Sequence, residues 1–214
     1  MSQSAESAQA APVRVPAWSL VFFLSGFAAL LYQVIWQRSL FAIYGINVES
    51  VTVIVTAFML GLGGGSLVGG AVSKDPRRPA LLLFGLIEMG IGLFGLVSLG
   101  LFRWVGSFTL RMALPEVFGV TLLLLLFPTT LMGATLPLLV AHLVRLSGNV
   151  GRSVGMLYFI NTLGSALAAF LAVFFCLGTL GQQGSIQLAA VLNIGVGLFV
   201  IAQHFKLNRR SVAR

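Results

Sequence analysis

Six apolar runs, each about as long as a helix must be to cross the hydrocarbon core of a bilayer, leave this chain few alternatives. They cover approximately residues 17–37, 51–73, 80–102, 117–141, 154–177 and 184–204. Backbone amides and carbonyls in lipid must be satisfied within their own segment, so these runs form helices rather than lone strands. Composition agrees, since 8% of the 214 residues are charged against roughly 25% in a soluble domain. Such a chain cannot wet a surface, and its solvent is lipid. The expected fold is an all-α membrane protein, a six-helix transmembrane bundle over 17–204. A disordered polar tail (1–16) and a basic tail (205–214) flank it. Pro128 and Pro137 predict a kink or break in the fourth run. The first run is too long for the core of a signal peptide and lacks a clear small-residue cleavage site.

A net charge of +8 would suggest nucleic acid if the basic residues formed one patch. They are instead dealt out between the runs, so no nucleic-acid partner is expected. Alternating the runs across a membrane puts Arg14, Lys74, Arg77, Arg78, Arg145, Arg152, Lys206, Arg209, Arg210 and Arg214 on one side. Arg38, Arg103 and Arg111 fall on the other. The positive-inside rule then places both termini in the cytoplasm, and a bacterial inner membrane is the expected location. Trp36 and Trp104 fall near the outer boundary and Trp18 near the inner one, where an aromatic belt is expected. Cys176 has no disulfide partner within the chain. His142 and His204 lack the converging ligands that a zinc site needs, and no cofactor is expected.

The densest glycine stretch is GLGGGSLVGG, residues 61–70. A dinucleotide loop would need G-x-G-x-x-G between a strand and a helix, but Ser66 follows Gly61 and Gly63 and the surroundings are apolar throughout. Gly61, Gly65 and Gly69 share one helix face, as overlapping small-xxx-small units that let another helix approach. Gly85, Gly92 and Gly95 in the third run are expected to answer them.

One carboxylate lies inside a run, Glu88 in FGLIEMGIGL. Such a group must face the bundle interior and find partners. Counting helical rise puts Ser66, Thr135, Asn161, Thr162 and, somewhat higher, Asn193 near its level. The expectation is an uneven polar layer with Glu88 beside the glycine face of span two. That layer either bonds helices together or forms a cation or proton site. A second cluster, Tyr32, Gln33, Trp36, Gln37 and Arg38, reads as an interfacial anchor or as a gate. Spans two and five also echo each other, with Phe58, Leu62 and Gly63 aligned to Phe159, Leu163 and Gly164, as an inverted repeat of three spans would do.

Four stretches together carry a family resemblance: FLSGFAALLYQVIWQR (23–38), AFMLGLGGGSLVGG (57–70), FPTTLMGATLPLL (127–139) and GRSVGMLYFINTLGSALAA (151–169). In this order they resemble the membrane domain of the membrane-bound spermidine synthase-like proteins. The resemblance implies a bundle like half of a major facilitator fold. SLVGGAVSKDPRRP (66–79) is similar to the basic loop after the second helix of those transporters, with Asp75 and Arg77 where helix ends are latched together and Arg78 in the same loop. Ala168 stands where the resemblance would put a glycine. The family's aminopropyltransferase domain, with its glycine-rich loop and acidic amine site, has no counterpart in these residues. No enzymatic activity is therefore expected of the chain by itself. The resemblance implies a non-catalytic docking or accessory module linked to polyamine metabolism. Its expected partners are the bilayer, other subunits or a second copy, and a polyamine. The alternatives are a small homo-oligomeric transporter of a cation or protons, and a structural subunit of a larger membrane complex.

Overall fold

The computed structural model describes residues 15–45, 48–109 and 111–212. They form α1 (Val15–Tyr44), α2 (Val48–Ser73), α3 (Ala80–Thr109), α4 (Leu114–Ser147), α5 (Val150–Leu171) and α6 (Gly181–Val212). A π-helical turn (Ala172–Cys176) and one α turn (Leu177–Thr179) extend α5. Among the described residues, six helices are long and apolar enough to cross a membrane. The expected tail at 1–16 lies almost entirely outside the described residues.

The helices overrun the apolar runs because hydropathy does not stop a helix. α1 continues past residue 37 to Tyr44, and α4 past residue 141 to Ser147. Each ends where a glycine takes a left-handed conformation, Gly45 at φ 89° and Gly148 at φ 68°. There the Gly148 N–H closes onto the Val144 carbonyl, satisfying a carbonyl that helix ends leave free. At the start of α5, Asn149 accepts the Arg152 N–H at 2.9 Å.

Of the kink or break expected in α4, a break does not occur. Its helix runs unbroken through Pro128 and Pro137. Beside Pro128, the hydroxyls of Thr129 and Thr130 donate to the carbonyls of Leu125 and Leu126 at 2.8 and 2.7 Å. Such hydroxyls supply bonds in a turn weakened by a missing amide.

The closest helix pairs are α2 with α4, α3 with α6 and α1 with α5, followed by α3 with α4 and α1 with α6. Exchanging α1 with α4, α2 with α5 and α3 with α6 reproduces all five. The contacts obey the same exchange. A Cβ at Gly65 would strike the Thr130 carbonyl, and one at Gly164 the Phe23 carbonyl. A Cβ at Gly133 would strike the Leu62 carbonyl, and one at Gly26 the Asn161 carbonyl. Across α3 and α6, a Cβ at Gly92 would come within 3.0 Å of the Ala190 carbonyl, and one at Gly197 within 2.8 Å of the Gly85 carbonyl.

These pairs correct the alignment read from sequence. Packing matches Leu62 with Asn161, Gly65 with Gly164 and Gly69 with Ala168. Gly63, expected opposite Gly164, faces open space, and Phe58 is buried where Phe159 is exposed. Apolar residues match by chance in either register; backbone approach does not.

The glycine face of α2 does pack, but its partner is α4. Gly61 meets Thr129, Gly65 meets Thr130 and Gly133, and Gly69 lies so close to Ala134 that a Cβ would come within 2.7 Å of its carbonyl. Gly85 and Gly92 do not answer it; they face α6, and Gly95 faces Tyr32.

Candidate functional site

One face of α3 is buried at Ala80, Leu81, Phe84, Gly85, Glu88, Ile91, Gly92 and Gly95, a helical spacing that turns Glu88 inward. Gly85 and Gly92 flank it one turn to either side and admit α6 so closely that a short side chain can reach the carboxylate. Asn193 Nδ2 donates to Glu88 Oε2 at 2.7 Å, and Ser25 Oγ donates to Oε1 at 2.5 Å. No basic residue joins them. Among the described residues the one ion pair is Arg78–Asp75, at 3.7 Å on the surface. Glu88 is fully buried, so its two donors replace the water that a carboxylate otherwise needs.

Glu88 therefore sits between α1 and α6, not beside the glycine face of α2. α2 is already committed to α4, and the face of α3 that carries Glu88 packs on α6 and α1.

Ser25 and Asn193 form part of the wall of a cavity of about 340 Å³ framed mainly by α1, α2, α4 and α5. Ser66, Thr135, Asn161, Gln33 and Ser165 also line it, together with Phe22, Phe58 and Tyr158. Ser66 and Tyr158 are exposed, so the cavity opens at the α2 and α5 lips. Its lining follows the exchange of halves: Ser25 matches Met132, Ala29 matches Leu136, Leu62 matches Asn161 and Ser66 matches Ser165. Glu88 and Asn193 are themselves a matched pair, bonded to each other across the approximate two-fold axis. On this lining Asn193 Oδ1 is buried without a hydrogen-bond partner among the described residues, as is Tyr32 Oη where its ring packs on Gly95 of α3.

The residues placed by depth divide by helix face. Ser66, Thr135, Asn161 and Asn193 come to the cavity. Thr162 does not: it is exposed and donates to its own helix at the Tyr158 carbonyl. Depth was a sound guide to level and no guide to azimuth. Sequence reasoning missed Ser25, although it lies as far into the first run as Glu88 lies into the third. Ser165, which donates to the Gly26 carbonyl at 3.1 Å, was missed as well.

The cluster from Tyr32 to Arg38 is not an interfacial anchor as a unit. Tyr32 and Trp36 are fully buried and stacked, with ring centroids 5.0 Å apart. Trp36 Nε1 donates to Ser98 Oγ at 3.0 Å. Gln33 and Gln37 are half-buried and Arg38 is exposed. The helix continues beyond this segment to Tyr44, which moves Trp36 away from the boundary. Trp18 is also buried, edge-on to His142 at 5.2 Å, whereas Trp104 is exposed. Of the three tryptophans, Trp104 alone has the exposure of a belt residue.

At the α2–α3 connection, the Arg77 N–H donates to Asp75 Oδ1 at 2.9 Å. The tie between helices comes from neither Asp75 nor Arg77 but from another basic side chain. Arg145 of α4 donates to the carbonyls of Ser73 and Asp75 at 2.8 and 3.3 Å. Cys176 is buried and unpaired. No group of three or more metal-ligating side chains occurs among the described residues. Comparison of the chain with protein-family models, curated proteins and solved structures finds no match in any of the three.

Proposed function

We propose that this chain is a membrane-embedded, non-catalytic module that holds a small cationic amine in the α1/α2/α4/α5 cavity. The observation that carries the reading is the buried Glu88 carboxylate, separated from the cavity by the two side chains that bond it, Ser25 and Asn193. No charged residue lines the cavity, so Glu88 sets the sign of the field there, and a low-dielectric wall strengthens it. Hydroxyls and amides on the lining suit ammonium groups. The aromatic faces of Phe22, Phe58 and Tyr158 suit them too, and Leu30, Leu62 and Leu136 suit the methylenes between. A linear polyamine has this alternation, and the likeness of four sequence stretches to spermidine synthase-like membrane domains points to the same ligand class. In this reading the module presents or senses the amine for a protein partner in the bacterial inner membrane.

The test is calorimetric titration of the detergent-purified protein with spermidine, repeated on Glu88→Gln. The expected result is saturable binding that weakens about tenfold or more in the variant, since one buried charge contributes more than 1.4 kcal/mol to a nearby cation. Equal binding by both proteins, or none by the wild type, would sink the proposal.

A second reading, a transporter built from two copies, is favoured by the matched halves around the cavity, an arrangement common in transporters. It predicts spermidine flux into liposomes reconstituted with the protein alone, lost in Glu88→Gln.

A further inference from the structure

The end of the bundle richest in basic residues holds a second groove, of about 510 Å³, bounded by the α2–α3 connection, α3, α4 and α6. Arg77 and Arg78 reach it from the connection, Arg145 from the last turn of α4, and His142 and His204 from the helices behind. α3 starts in the same groove at Ala80, so the positive pole of a 30-residue helix adds to the arginines.

The charges are not cancelled within the protein. Asp75 is the carboxylate at hand, and it takes Arg78 at 3.7 Å and the backbone N–H of Arg77 at 2.9 Å. The Arg77 guanidinium meets no carboxylate among the described residues. Arg145 is steered by the neutral carbonyls of Ser73 and Asp75 and keeps its charge. His142 Nε2 is buried without a hydrogen-bond partner among the described residues, while Trp18 supports the ring from behind. Three guanidiniums and two imidazoles thus face one acid.

The groove also has apolar walls, Leu81 and Leu207, where α3 and α6 leave the membrane-spanning region. A soluble anion would gain nothing from them. We infer that the groove binds the phosphate of an anionic phospholipid, with Arg77, Arg78 and Arg145 on the phosphate and the leucines against the glycerol and first methylenes. Clefts of this composition between membrane helices suit such headgroups.

Native mass spectrometry of the purified protein, titrated with phosphatidylglycerol, phosphatidylcholine and inorganic phosphate, tests this. One phosphatidylglycerol is expected to bind at least about tenfold more tightly than phosphatidylcholine. Arg77→Gln with Arg78→Gln should weaken it by about tenfold or more, as two arginines near a headgroup contribute on the order of 1 kcal/mol each. Lys206→Gln with Arg209→Gln removes the same charge from exposed positions outside the groove and should leave it unchanged. Equal retention of both lipids, or an equal loss in the Lys206/Arg209 control, overturns the site. Inorganic phosphate that displaces the lipid at comparable concentration assigns the groove to a soluble anion and overturns the lipid. Circular dichroism checks the fold. Should the groove double variant misfold, Arg77→Gln alone replaces it, since that side chain holds no ion pair in the structure.

Discussion

Two seams of this bundle have the same backbone geometry and different side chains. Along α2 and α4, Gly61, Gly65 and Gly69 lie against Thr129, Thr130 and Ala134, and Gly133 lies against Leu62. Along α1 and α5 the matching approach is kept by Gly26 and Gly164, but Asn161 stands where α2 has Leu62, and Ala168 where it has Gly69. α5 is also the least buried of the six spans. The first seam is fastened by close backbone contact along its length, which in lipid gains dispersion and weak hydrogen bonding. The second gives up part of that contact and sets amide and hydroxyl groups on the cavity. A shared geometry has been divided between a continuous seam and the wall of a cavity.

The comparison breaks most readily at Gly65. Its Cβ would enter the Thr130 carbonyl, so Gly65→Leu should destabilise by about 3 kcal/mol or more, at the upper end for overpacking. Fluorescence-detected size exclusion after heating reads this as loss of the monodisperse peak. Gly64→Leu, which faces open space, should melt within about 0.5 kcal/mol of the wild type. Equal damage from both would show that the stretch needs glycine for some reason other than the α4 contact.

Gly164→Leu sharpens the contrast. Its Cβ would strike the Phe23 carbonyl, yet the α1–α5 seam is the looser of the two and α5, the less buried span, has more room to move into lipid. A smaller loss is expected in the same assay, about 2 kcal/mol. A loss larger than that of Gly65→Leu would reverse the assignment of the two seams.

Among the substitutions within the two seams, the smallest effect on stability is expected from Asn161→Leu, which gives α5 the residue that α2 carries at the matched position. Thermal stability should change by less than about 1 kcal/mol, because bonds between polar side chains in membrane bundles average ≈ 0.6 kcal/mol. Spermidine titration should nevertheless weaken about threefold or more, the loss of one lining hydrogen bond of about 1 kcal/mol. Unchanged binding would move the ligand away from the α5 lip.

The six spans were legible because hydropathy over some twenty residues integrates many weak signals, and the inward turn of Glu88 followed from the cost of a lone carboxylate in lipid. The neighbours of these groups were not legible. The glycines announced a packing face, but nothing in GLGGGSLVGG names α4 rather than α3, since small residues accept any backbone that arrives. Glu88 announced a need for donors, but Ser25 and Asn193 come from helices 63 and 105 positions away in sequence. Thr162 shows the same gap from the other side, at the right depth and on the wrong face. Trp36 lies away from the boundary because its helix ends at Gly45 and not where the apolar run does, and hydropathy alone does not carry that end.

The exchange of halves has a consequence for how the protein is made. A bundle whose two halves present the same contacts looks nearly alike from either side of the bilayer, so its packed interior gives the insertion machinery no instruction about which way to enter. Orientation must then be decided as each span emerges during synthesis, by the arginines and lysines between the helices. Those residues could be rearranged to invert the whole protein without repacking one buried side chain.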